Sequence, residues 1–414
     1  MTNITKPKGT ADTYGADAAL WRYIEGEIHK LAALFAIEEI RTPMFENVEL
    51  FVRSVGEATD IVQKEMYTFT DRGERTFALK PESTAPTVRA YIENSLHTLP
   101  APAKLYYLAP HFRAERPQKG RLRQHHQFGV EFFGSMSASA DAELISVLHL
   151  FLERLSVENF ALHINSIGDT DCRKRFNTAL LAFLSTKAND LCADCRGRMK
   201  KNPMRVLDCK NPSCQELIKD TPVPLDYLSD ECAAHFEHLQ RYLTALDIPY
   251  FVDKGIVRGL DYYNRTVFEF MSTDLGAQST IGGGGRYDPL VNGGGVGFGM
   301  GIERLILVLT AQNKLPQIPR DITVFVGGMG EAGAAKAAQI THDLRKAGIS
   351  AINDLCDRSV KAQLKYADKL GAHFSLVIGE SELESSRATV KNMQSGEATE
   401  IDINKIVDFF GGKL

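Results

Sequence analysis

The chain has 414 residues, 44% hydrophobic and 24% charged, with a formal net charge of -4 at pH 7. That balance excludes disordered and collagen-like classes, and the slightly acidic total excludes a wholly basic nucleic-acid coat, so any RNA site must be a local patch. The length allows two or three domains with a ligand held between them. Seven cysteines, an odd number, do not read as a disulfide framework and point to a reducing compartment, hence the cytoplasm. Residues 1–15 are polar, and nowhere do ~18 apolar residues run together, so neither secretion nor a membrane partner is expected.

Residues 16–35 space Leu20, Ile24, Ile28, Leu31 and Leu34/Phe35 as one apolar face, which predicts a long amphipathic helix. Glu38 to Pro43 reads as a short strand ended by a proline that has no ladder donor. From Lys104 to Gly134 two strand-like runs flank a polar loop containing Pro117 and Gly120, the pattern of a long antiparallel hairpin. Residues 171–250 are rich in helix formers and hold six of the seven cysteines, predicting an inserted helical module. Strand-like Val267 to Met271, the glycine cluster from Gly282 to Gly301 and an apolar helix from Ile302 to Leu309 close the large domain. Asn313 to Arg320, with Pro316 and Pro319, reads as a linker. Beyond it, strand-like 322–326, 350–355 and 374–378 alternate with helical 334–346 and 360–370, predicting a parallel, doubly wound α/β domain.

Several clusters have chemical content. On the hairpin's return strand Arg123, His125, Gln127, Gly129 and Glu131 share one face, and the gap at Gly129 has room for a small polar ligand; in isolation the pattern also fits a solvated sheet face. Around the loop Arg113, Arg116, Lys119, Arg121 and Arg123 face only Glu115, a local excess of positive charge in which arginine forks suit phosphate. Ten of the 33 glycines fall between Gly282 and Gly301, so backbone must approach something closely there. The run lacks the Gly-Lys-Ser/Thr ending of a P-loop and the distal acid of a dinucleotide site. It does lead to Arg304 at the start of a helix, beside the glycine-lined surface. Arg258-Gly-Leu-Asp261-Tyr262-Tyr263 sets a guanidinium, a carboxylate and two phenols just before a strand. Cys192, Cys195, Cys209 and Cys214 are spaced x2, x13 and x4, the layout of a four-thiolate zinc knuckle, although cysteine is also a small core residue.

Taken in order, these residues resemble the bacterial histidyl-tRNA synthetase family, from about Lys6 to the C-terminus, and the most specific motif is Arg258 to Tyr263. The helix and strand ending at Pro43 look like the first class II motif, which in the family forms the homodimer interface. His111-Phe-Arg113-Ala-Glu115 through Glu131 looks like the second, and Gly297 to Arg304 like the third. The resemblance implies an α/β protein: a class II catalytic domain (1–170 and 251–315) on a mixed, mainly antiparallel sheet, a helical insertion (171–250), a linker (316–320) and an anticodon-binding α/β domain (321–414).

It also implies roles, and a reaction in which ATP with Mg2+ activates L-histidine as an adenylate before transfer to tRNA(His). Arg113 would contact the α-phosphate of ATP, Arg121 the distal phosphates, and Arg304 the γ-phosphate while covering the adenine. Glu115 would sit by the adenine amino group, and His125 would stand where the family usually stacks a phenylalanine on the base. Glu82, Ser83 and Thr84 match the loop that receives the amino group of histidine. Gln127 and Arg258 would take its carboxylate side, Glu131 and Tyr263 its two imidazole nitrogens, with Tyr262 beside them. Arg113 and Arg258 would carry catalysis, and Arg116, Gln118 and Arg123 would meet the tRNA acceptor end, where the family's tRNA has an extra 5′ guanine. The rival is a synthetase-like regulatory subunit of ATP phosphoribosyltransferase. Such proteins usually lack the anticodon-binding domain and lose the ATP-binding arginines, all of which this chain keeps.

Overall fold

A computed structural model describes residues 4–57, 59–118, 120–207, 209, 211–258, 260–318 and 322–411. Lys119 of the basic loop, Gly259 of the 258–263 motif and part of the 316–320 linker therefore lie outside the described residues. The chain forms two compact units, Met1–Pro316 and Gln317–Leu414.

The first unit is built on an eight-stranded sheet in the order Glu38–Glu39, Ala103–Phe112, Gln124–Phe133, Gly295–Gly301, Thr280–Arg286, Asn264–Ser272, Phe160–Ser166, Tyr250–Val252. Only the two outermost pairings are parallel, and every other neighbour is antiparallel. The predicted hairpin runs unbroken from Ala103 paired with Phe133 to Phe112 paired with Gln124. Alternation along its return strand sends Phe128, Val130 and Phe132 to one face, where they meet Val296, Phe298, Phe268 and Phe270 from neighbouring strands. Helix Ala138–Arg154 packs on this face through Leu144, Leu148 and Phe151; its cap is Ser137, whose side chain accepts from Ser139 N. Helix Gly15–Leu34 adds Ile24, Ile28 and Leu31, the face the periodicity predicted. The strand after it is shorter than predicted, Glu38–Glu39, and the chain has left the sheet before Pro43.

Within 171–250 the α-helices among the described residues are Thr170–Ser185, Ala193–Lys201, Pro212–Leu217 and Asp230–Ala245, joined by turns, and Tyr250 opens the sheet's last strand. Asp230–Ala245 buries Phe236, Leu239 and Leu243 in the main core. Phe176, Leu180 and Leu184 instead join Cys195, Cys209 and Cys214 in a second cluster that reaches Tyr262, Tyr263 and Phe133 on the opposite face of the sheet. Below the main sheet, buried Asp141 ties these parts together by accepting from Arg286 at 2.5 Å, Thr266 at 2.6 Å and His235 at 2.9 Å.

The second unit has a five-stranded sheet ordered Ala351–Asn353, Val324–Gly328, Phe374–Ile378, Arg387–Asn392, Ala398–Asp402. Its first three strands are parallel, linked through helices Gly330–Lys346 and Val360–Leu370 as the alternation predicted. The last two are antiparallel, a departure from a wholly parallel sheet. Only 393–397 joins them, with Gly396 at φ +77, and so short a link makes a hairpin and cannot make a crossover.

Candidate active site

Glu131 lies on the sheet face opposite the main core and is fully buried. Its carboxyl accepts from Thr84 Oγ1 at 2.7 Å and Tyr107 Oη at 3.4 Å, and from the Tyr287 hydroxyl. Burial pushes its pKa up to about 8 against the pull of these hydrogen bonds. Gly297 pairs with Glu131 across the ladder, and a Cβ there would overlap the carboxylate, which is one close approach the glycine run permits. The expected gap at Gly129 is filled: Tyr107 is its partner in the register, and a Cβ on Gly129 would run into the Tyr107 ring. Gln127, two residues along on the same face, lies over Gly299.

Lys80 to Thr84 leads into helix Thr84–Glu93 at the edge of this floor. Glu82 accepts from the Thr84 amide at 2.8 Å and the Ala85 amide at 3.1 Å, pinning the helix start, and burial raises its pKa to about 7. Ser83 Oγ is 2.6 Å from His111 Nε2. His111 is fully buried, with Nδ1 lacking a hydrogen-bond partner; burial and neighbouring His125 hold the imidazole well below its usual range, so it is neutral.

The arginines predicted to meet phosphate converge beside this loop. Arg113 Nε donates to Pro81 O at 2.9 Å and its Nη1 is 3.9 Å from Glu115, which also pairs with Arg121. Arg304 donates from Nε to Gly120 O at 3.1 Å and from Nη1 to Thr280 O at 2.9 Å, bridging the hairpin loop and the glycine-rich strand. Burial, then Arg121 and Arg113, lower the pKa of Arg304, so three guanidiniums lie near enough to repel and to welcome an anion. His125 sits among them, and burial followed by Arg113 and Arg304 drops its pKa to about 3, leaving a flat neutral ring. Lys64, Glu65, Glu115, Arg116, Gln118 and Arg121 line an adjoining cleft of about 560 Å³. Arg123 is not among the residues lining that cleft; its Nε donates to Glu115 O at 3.2 Å.

Arg258 forms an ion pair with Glu269, which also accepts from Thr280 Oγ1 at 2.7 Å. Burial opposes its charge, but Glu269 outweighs that and raises the pKa of Arg258. Its guanidinium lies 5.8 Å from the centre of the Tyr263 ring and over Gly283. Tyr262 and Tyr263 are both buried with ring centres 4.6 Å apart. Tyr107, Tyr287, Glu65 and Glu269 did not stand out in the sequence, and His111 did so only as the first residue of the second motif, with no role assigned. Tyr107 alone had a usable signal, the register that sets it opposite Gly129.

In the second cluster the sulfurs of Cys192, Cys195, Cys209 and Cys214 all lie within 4.8 Å of one another.

An antiparallel sheet that presents buried carboxylates, a glycine-rich ledge and convergent arginines on one face defines a class II aminoacyl-tRNA synthetase. A family model described as histidyl-tRNA synthetase matches residues 9–305, and one described as anticodon binding domain matches 321–413. The chain is 49% identical over 410 residues to the histidine-tRNA ligase of Clostridium novyi, covering 97% of each, and 48% identical over 419 residues to that of Clostridioides difficile, covering 99% of this chain and 100% of the relative. The crystal structure of apo S. aureus histidyl-tRNA synthetase superposes with a TM-score of 0.84 at 38% identity, covering 98% of this chain and 99% of that one. The chain belongs to the histidyl-tRNA synthetase family.

Proposed function

We propose that this chain catalyses ATP + L-histidine + tRNA(His) to histidyl-tRNA(His) + AMP + diphosphate, as an ATP-dependent ligase of protein synthesis, with the residue roles that follow. Arg113, Arg121 and Arg304 bind the phosphates, His125 covers the adenine and Glu115 faces its amino group. Glu82, Ser83 and Thr84 receive the ammonium of histidine. Gln127 and Arg258 hold its carboxylate side, and Glu131 with Tyr263, flanked by Tyr262, takes the imidazole. The observation that carries the reading is Glu131: a carboxyl kept fully buried among hydroxyl donors discriminates a ring with two nitrogens from apolar or amide side chains.

No residue needs to act as a nucleophile. The substrate carboxylate attacks the α-phosphorus, diphosphate leaves, and Arg113 and Arg258 oppose the charge that builds. The reaction uses a divalent cation, Mg2+, with ATP, and supplies through it further neutralisation of the phosphates. Glu65 and Glu115 both line the cleft beside the arginine cluster and would offer such a cation oxygen ligands.

The finer organisation is also proposed: catalytic residues 1–170 and 251–315, an insertion at 171–250, a linker at 316–320 and an anticodon-binding domain at 321–414. Arg116, Gln118 and Arg123 meet the tRNA acceptor end, the first two supported by their place in the cleft. Cys192, Cys195, Cys209 and Cys214 hold a structural zinc. The protein works as a homodimer in the cytoplasm; all seven cysteines are free, and no described helix is long and apolar enough to cross a membrane.

Pyrophosphate exchange run with each of the twenty amino acids tests the reading. Exchange is expected with histidine alone, and exchange of equal efficiency with another amino acid would reject the specificity. Arg258→Ala should reduce histidine activation by ~100- to 1000-fold, the usual worth of a preorganised donor aimed at developing charge.

A further inference from the structure

Four sulfurs gathered within 4.8 Å are more than a small-residue core requires. Cys192 and Cys209 are 4.0 Å apart, and a four-thiolate zinc with Zn–S bonds of ~2.3 Å separates its sulfurs by roughly that distance. The Cys192 amide donates to Cys214 Sγ at 3.3 Å and the Asn211 amide to Cys209 Sγ at 3.4 Å, an arrangement that suits thiolates by spreading their charge. The elements around them, Ala193–Lys201, Pro203–Val206 and Pro212–Leu217, are each too short to stand as helices unaided.

The segment between the second and third cysteines reaches the active-site loop. Asn202 Nδ2 donates to Asp261 Oδ1 at 2.8 Å, and Arg205 Nε lies 3.6 Å from the same oxygen. Arg198 ties the segment to itself and to the catalytic part, donating to Arg205 O at 3.3 Å and pairing with Asp60 at 3.2 Å. Asp261 has no role assigned above, yet it stands between Arg258 and the Tyr262–Tyr263 pair. Its own amide donates to Val55 O at 3.2 Å, and Arg173 Nη1 donates to Asp261 O at 3.2 Å and Tyr263 O at 3.1 Å, so the loop is held from three sides.

We infer that the four thiolates hold a zinc ion that positions Asn202 and Arg205 against Asp261, and thereby sets the loop carrying Arg258, Tyr262 and Tyr263. Asn202, Arg205 and Asp261 are positioning residues for the amino-acid half of the site. Asn202 donates to Asp261 in the amino-acid half, whereas Arg198 pairs with Asp60, which leads into Ile61–Glu65 beside the cleft lined by Glu115 and Arg121, so removing the Asn202 amide alone should weaken histidine and spare ATP. The inference rests on the function proposed above for what the loop binds.

The test compares full-length wild type, Asn202→Ala and Cys214→Ser by metal content, by hydrogen exchange of residues 258–263, and by KM for histidine and ATP in pyrophosphate exchange. Wild type should carry about one zinc per chain. Asn202→Ala should keep the zinc, exchange amides faster across 258–263, and raise KM for histidine about tenfold while KM for ATP stays within about twofold. Cys214→Ser should lose the zinc and raise KM for histidine at least as much. Wild type with less than about a tenth of an equivalent of zinc overturns the metal. Zinc present, with amide exchange and histidine KM unchanged in Asn202→Ala, overturns the coupling, as does an equal rise in both KM values. Should Cys214→Ser fail to fold, wild type and Asn202→Ala decide. Absence of any histidine-dependent activity in wild type would reject the function, while metal content and amide exchange would still decide the tether.

Discussion

Glu131 combines full burial, hydrogen bonds from Thr84, Tyr107 and Tyr287, and a pKa pushed up to about 8. An unfolded glutamate titrates near ~4.3, so between there and about 8 the folded chain holds a proton that the unfolded chain has released. Stability of the unliganded protein therefore falls as pH rises through that window, and Glu82, raised to about 7, adds to the fall in the same direction. Glu131→Gln keeps the shape and removes the titration. Thermal unfolding between pH 5 and pH 8.5 is expected to show a shallower decline in the variant than in wild type, with histidine-dependent pyrophosphate exchange reduced by ~10- to 100-fold. An unchanged slope would mean that Glu131 is already ionised in the folded chain.

At the scale of elements the hairpin Ala103–Phe112/Gln124–Phe133 does two things at once. Its strands place Gln127 and Glu131 on the floor, and its loop pairs Arg113 and Arg121 with Glu115 and brings Glu115, Arg116, Gln118 and Arg121 to the open cleft. Arg116 lines the same cleft as Glu115 and Arg121, and the role proposed for it at the tRNA acceptor end would separate its task from ATP binding. An arginine there can take O6 and N7 of a guanine together. Arg116→Ala is expected to slow aminoacyl transfer by ~10-fold or more and leave activation nearly unchanged, read from single-turnover rates of the two half-reactions. Equal loss in both would assign Arg116 to ATP.

For the whole molecule, the small sheet of Phe45–Asn47, Thr76–Leu79 and Thr68–Thr70 exposes an aromatic patch. Met44, Phe45 and Phe69 remain 45%, 48% and 42% exposed, with the Phe45, Phe69 and Phe77 rings packed together at the surface. The homodimer proposed above would find an interaction surface in this patch, which begins directly after Pro43. Sedimentation should give twice the chain mass for wild type, whereas Phe45→Asp should shift the population to monomer with loss of activity. A wild-type monomer that is fully active would remove the homodimer.

Much of the architecture was legible from periodicity and turn chemistry, which are local properties. The Gly15–Leu34 helix, the hairpin and the three parallel strands of the second unit follow from the spacing of apolar residues and from where glycine and proline interrupt it. The motif residues were legible too, because Arg113, Arg258 to Tyr263 and Arg304 carry unusual local combinations. The antiparallel edge of the second sheet was not, since strand direction depends on what lies at the end of a link and only its length is written in the chain. Nor was Tyr287 as a partner of Glu131: it lies 156 residues after, and nothing nearby in sequence marks it, whereas Tyr107, 24 residues before, had only the hairpin register to mark it. The raised carboxyls, the neutral His125 and the hold of Asn202 on Asp261 were decided by tertiary structure alone, because burial and charge act through space between groups that the chain brings together only on folding.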